Sequence, residues 1–250
     1  MSTSRTIGAT APALLLLSSV AGAASLSVVE VAAPTINCVF ETDCTIVVTD
    51  SVGQITLPNL TGGAARLQTR TFAGKAGAPA AGKFGYQYRV DLTSAVTNAE
   101  FSCVTDLTVD FGTITKLQYN NVGPADDVFV VSKGGLGKIG ILVAEQAGNM
   151  VTFTFSQPIC AGHVSNTGDT TFFFGLTSAF APKSITATVG VPGLLPVDVP
   201  ARGPDHPVRV AIPPIIERPV LDLNVPTTGA LQPPVLPPTL PPPPEPPLPR

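Results

Sequence analysis

A chain of 250 residues, 44% hydrophobic and 12% charged, holds enough apolar material for a sizeable core and too few charges for a disordered polyelectrolyte. The formal net charge of −3, with no basic cluster anywhere, excludes the electrostatic footprint of a nucleic-acid binder.

Residues 1–24 have the order of a secretory signal peptide. Arg5 is the one charge, an apolar run spans Ala11 to Ala24, and Ala21, Gly22, Ala23 and Ala24 offer a small-residue cleavage site after Ala23 or Ala24. The run is shorter than the ~20 residues that span a bilayer. The expectation is a secreted protein, extracellular, on the cell surface or periplasmic, with no stable membrane span once the signal is removed.

Beyond the signal the chain reads as strands. Their expected ranges, in order, are 25–31, 45–50, 53–58, 65–72, 84–93, 103–112, 113–119, 127–132, 138–145, 150–156, 170–176 and 184–189. The clearest is "FGYQYRVDLT", where Phe84, Tyr86, Tyr88, Val90 and Leu92 share one face and Gly85, Gln87, Arg89, Asp91 and Thr93 the other. That period of two marks a strand with one buried face. "MVTFTFS" repeats it through Val151, Phe153 and Phe155, and "SITATV" through Ile185, Ala187 and Val189. "TTFFFGL" carries Phe172, Phe173 and Phe174 in a row, which fits a central strand buried on both faces. The alternative for it is an exposed aromatic patch that binds a partner. Turn chemistry separates the segments, including "NNVGPADD", "AGN" and "SNTGDT". The glycine-rich "KGGLGKIG" at 133–140 reads as a hairpin turn, since it lacks the spacing of a phosphate-binding loop. No eleven-residue window carries a helical stripe. About ten short strands at this spacing predict an all-β fold, a β-sandwich of jelly-roll type.

Four cysteines in an exported chain imply two disulfides, with three possible connectivities. The preferred pairs are Cys38–Cys44, pinning a tight loop, and Cys103–Cys160, joining distant strands.

Twenty of the 27 prolines fall in residues 191–250, so the sandwich is expected over 25–190 and a proline-rich extended tail over 191–250. Proline runs remove backbone donors and favour polyproline II, which suits a spacer. Within that tail, Val208, Val210 and Ile212, and later Leu221, Leu223 and Val225, alternate like short edge strands.

Groups for catalysis are sparse. The histidines are His163, just after Cys160, and His206, in the expected tail, and no serine stands in a nucleophile elbow. Asp91, Glu100, Asp106, Asp110 and Glu145 are the candidates for a carboxylate pair, with Asp106 and Asp110 on one face by parity. Asp126 with Asp127, and Asn166 with Asp169, are the loop oxygens that would hold calcium, although the DxDxDG pattern is absent.

These readings predict a non-enzymatic protein without a cofactor, a structural, adhesive or assembly component of the cell envelope or extracellular matrix. Its partners would be further copies of itself or a surface or matrix component. The alternative is a carbohydrate- or ligand-binding module using Tyr86, Tyr88, Tyr119 and Phe172–Phe174, with polysaccharide as partner. The chain has no tryptophan to stack a sugar ring.

Overall fold

The alternating segment "FGYQYRVD" forms strand β6, Phe84–Asp91, in a computed structural model that describes residues 22–98 and 102–207. The signal segment through residue 21, Glu100, and residues 208–250 lie outside the described residues.

Before β6 come β1 (Ala24–Ser25), β2 (Val28–Ala32), helix α1 (Ala33–Phe40), β3 (Thr49–Ile55), β4 (Leu60–Gly62) and β5 (Ala65–Ala73). After it come β7 (Val96–Thr97), β8 (Cys103–Asp110), β9 (Val128–Lys133), β10 (Ile141–Ala147) and β11 (Met150–Cys160). The last three strands are β12 (Phe173–Ser178), β13 (Pro182–Gly190) and β14 (Val197–Pro204). They build two six-stranded sheets, β1-β10-β11-β8-β13-β14 and β2-β9-β12-β6-β5-β3, and a small β4-β7 ribbon.

The two large sheets face each other as a sandwich. Tyr86, Tyr88, Val90 and Leu92 enter the core between them, opposite Val151, Phe153, Phe155, Ala187 and Val189, as the alternation predicts. Edge-to-face and tilted ring packing joins Tyr86 to Phe111 and Phe174 to Phe153. The chain passes from one large sheet to the other between β1 and β2, between β6 and β8 by way of β7, and between β8 and β9, β9 and β10, β11 and β12, and β12 and β13. All pairs are antiparallel except β2 with β9, which departs from an all-antiparallel jelly roll.

The second sheet is covered on part of its outer face as well. Phe129, Val131 and Phe173, which point away from the sandwich interior, pack with Ile36, Val39 and Phe40 of α1 and with Tyr119 in a separate apolar cluster. Phe174 lies in the inter-sheet core and Phe173 in this outer cluster, so β12 is buried on both faces. The run of phenylalanines is therefore a central strand rather than an exposed patch.

Several expectations are corrected. Residues 33–40 are helical: Pro34 sits in the first turn, where its missing N–H is harmless, and Ile36, Val39 and Phe40 form a stripe at helical spacing. The expected strands at 45–50 and 53–58 merge into the single strand β3. Residues 113–119 form no strand, and only a lone bridge joins Leu117 to Asp126. The connection at 133–140 crosses from one sheet to the other and is not a hairpin turn, because β9 and β10 belong to different sheets. Gly137 there has φ +109 and no room for a Cβ against the Thr171 carbonyl, so glycine is required.

The largest correction concerns the boundary at 190. β14 pairs with β13 from Val197 to Pro204 and sends Val199 and Ala201 into the inter-sheet core. The domain runs on to residue 207, past the point where proline density begins. Pro200 is tolerated because β14 is an edge strand, bonded on one side only.

Candidate functional site

The outer face of the second sheet is half covered. α1 seals the β9–β12 side, and the polar residues of β5 and β6 continue beyond its edge. Between them lies a groove of about 400 Å³. Its floor is Arg70, Gln87, Val131 and Phe173; its walls are Asn37 and Ile36 on α1, Ile46 and Val48 on the connection to β3, and Leu136. A second recess of about 310 Å³ adjoins it through Ile46 and is lined by Phe72, Phe84, Lys75, Glu41 and Pro182.

Register puts Arg70 of β5 directly opposite Gln87 of β6. The Arg70 guanidinium lies 4.3 Å from the Phe173 ring centroid, a cation–π stack, while its Nε donates to Asp50 Oδ1 at 2.9 Å. Gln68 Nε2 donates to the same Asp50 oxygen at 3.0 Å. This leaves the Arg70 Nη nitrogens without a partner among the described residues. Gln87 is only 5% exposed, and its side-chain amide makes no hydrogen bond to any described residue. Among the described residues the fully buried side-chain atoms without a partner are Thr69 Oγ1 and Arg202 Nε; the Gln87 amide is not one of them and is set apart by lining the groove. The Asn37 amide on the helical wall is likewise without a partner among the described residues.

The rim of this groove is cross-linked. Cys38, in the last turn of α1, is bonded to Cys44 just beyond it, and the Cα atoms are 4.1 Å apart. The second disulfide, Cys103–Cys160, joins residues directly opposite each other on β8 and β11. Both preferred pairings are present.

The residues singled out by sequence fall elsewhere, and mostly into structural roles. Tyr86, Tyr88 and Tyr119 are fully buried. Their hydroxyls donate to the Phe180 carbonyl, the Arg202 carbonyl and Thr177 Oγ1 at 2.7, 2.9 and 3.0 Å. Burial raises the pKa of all three. None of them can present a ring to a sugar, which overturns the expected aromatic binding surface. Phe173 and Phe174 are buried too.

His163 Nδ1 lies 3.1 Å from the Thr97 carbonyl. His206, expected in the tail, is instead buried in the domain, with Nε2 2.9 Å from Asp110 Oδ1 and its ring against Gly112. This pairing across 96 residues carries no local signal in the sequence. Asp106 and Asp110 do share a face of β8, but four residues of strand place them about 13 Å apart, beyond the reach of a glycosidase pair. Asp91 is taken up by Arg89 at 3.0 Å and by Thr93. Glu145 is exposed on β10.

Of the calcium candidates, Asp127 accepts from Ser27 and Lys116, and Asp169 Oδ2 accepts the Cys160 N–H at 3.2 Å. Among the described residues no three His, Cys, Asp or Glu side chains converge on a point that could hold a metal.

Arg70 and Gln87 were legible only as the polar face of their strands. The pattern says which residues share a face and nothing about the helix that roofs it. No family model matches the chain, and no curated protein and no solved structure matches it either.

Proposed function

We propose that the protein is a secreted, non-enzymatic β-sandwich acting as a structural, adhesive or assembly component of the cell envelope or extracellular space, with the groove on the second sheet as its contact surface. One observation carries this reading: the Cys38–Cys44 bridge pins the helix that walls the groove. A disulfide placed there belongs to an oxidising compartment and holds a recognition surface in shape. No helix among the described residues is long and apolar enough to cross a membrane.

The ligand-binding alternative draws on the same groove, whereas its carbohydrate form has lost the tyrosines it relied on. Assembly is tested by light scattering on the purified chain and on Leu136→Asp, which puts a charge on the rim of the groove. Association that grows with concentration and disappears in the variant is the expected result. Two monomers of unchanged mass at high concentration would overturn the assembly role.

A further inference from the structure

We infer that the groove binds an extended, uncharged peptide segment with aliphatic side chains, its backbone amide pairing with the Gln87 side chain. The inference rests on the groove being the contact surface proposed above, and it names what that surface takes.

Gln87 carries the argument. The residue is only 5% exposed, its amide takes no partner among the described residues, and it lines the groove, where a ligand would replace water on that amide. Its side chain presents an acceptor and two donors in one plane, the complement of a peptide N–H and C=O. Asn37 offers a second free amide from the opposite wall, and the Arg70 Nη nitrogens offer donors to a carbonyl. An extended peptide turns its amides alternately to its two sides, so a segment lying between the floor and the helix can meet both. Leu136 on the rim is 57% exposed, and Val47, in the wall of the second recess, is 81% exposed. Aliphatic side chains would cover them.

Charge points the same way. The one cation on the floor is neutralised by Asp50, which suits a neutral backbone better than a phosphate or a polyanion. A sugar ring has no exposed aromatic face to stack on, since Phe173 is 3% exposed and Arg70 occupies its face.

The test is to pan a random heptapeptide display library against the purified full chain, with Gln87→Leu as the counter-target. Peptides rich in aliphatic residues should be selected, and Gln87→Leu should weaken them about tenfold, the loss expected for one buried hydrogen bond. Methylating a single backbone nitrogen of the best peptide should give the same loss, and no further loss on Gln87→Leu. Asn37→Ser should weaken binding separately. The melting temperature of Gln87→Leu should equal or exceed that of the wild type, because no internal bond is removed. A library that yields nothing preferring wild type to Gln87→Leu overturns the inference, as does a Gln87→Leu chain that melts well below wild type. A chain that selects peptides yet stays monomeric overturns the assembly reading alone. One that associates yet selects none overturns this inference alone.

Discussion

Asp127 stands just before β9 and is only 5% exposed, yet it keeps its charge. Oδ2 accepts from the Ser27 N–H and hydroxyl, both at 3.0 Å, and from Lys116 Nζ at 2.8 Å. Burial alone would raise the carboxyl pKa. The Lys116 hydrogen bond, the two Ser27 bonds and the Lys116 charge outweigh it and hold the group below the ordinary aspartate range. A depressed folded pKa contributes stability that is complete above the unfolded value of about 3.9 and is lost as pH falls through the lower folded value. Asp127→Asn removes that contribution. Its deficit against wild type is expected to be about 2 kcal/mol and constant from about pH 5 to 8, then to shrink below about pH 4. Urea denaturation of both proteins across that range checks it; a deficit that grows in acid would contradict the assignment.

At the scale of elements, the two disulfides close loops of very different length, with separations of 6 and 57 residues. Loop entropy assigns about 2 kcal/mol to Cys38–Cys44 and about 4 kcal/mol to Cys103–Cys160. Replacing each pair by serine and measuring denaturant midpoints should reproduce that order, with the short-loop variant also losing amide-exchange protection in α1. Equal losses would show that strand pairing, which already holds Cys103 opposite Cys160, makes the long bridge redundant. The elements that were legible in the sequence are those with strict alternation, such as β6, β11 and β13, because one buried face imposes a period of two. α1 was not legible: its stripe is Ile36, Val39 and Phe40, two turns at most, too short to stand above a strand-rich background. β14 alternates too, through Val197, Val199 and Ala201, but Pro200 and the proline-rich residues after it concealed the pattern. The groove was legible in half. The polar face of β6 follows from its alternation, whereas the burial of Gln87 beside a short helix depends on contacts between distant segments.

For the whole molecule, the question is where the folding unit ends. β14 does more than extend a sheet. The Arg202 carbonyl accepts the hydroxyl of Tyr88, a fully buried side chain in the middle of the core. The Pro200 carbonyl rests against Gly53 of β3, where a Cβ has no room, so β14 of one sheet meets β3 of the other along a seam. His206 then bonds Asp110 at the end of β8. A chain ended at Gly190 would expose the core to which Val199 and Ala201 belong and would leave the Tyr88 hydroxyl without its acceptor. Each loss is of the order of 1–3 kcal/mol, and together they approach the whole stability of a typical domain. Such a chain is expected to lose its cooperative thermal transition, while a chain ended at Pro207 should melt within a few degrees of the full chain. Circular dichroism melts of the three proteins decide the matter. A cooperative transition at an unchanged temperature in the chain ended at Gly190 would mean that β14 is an appendage, and that the sandwich closes without it.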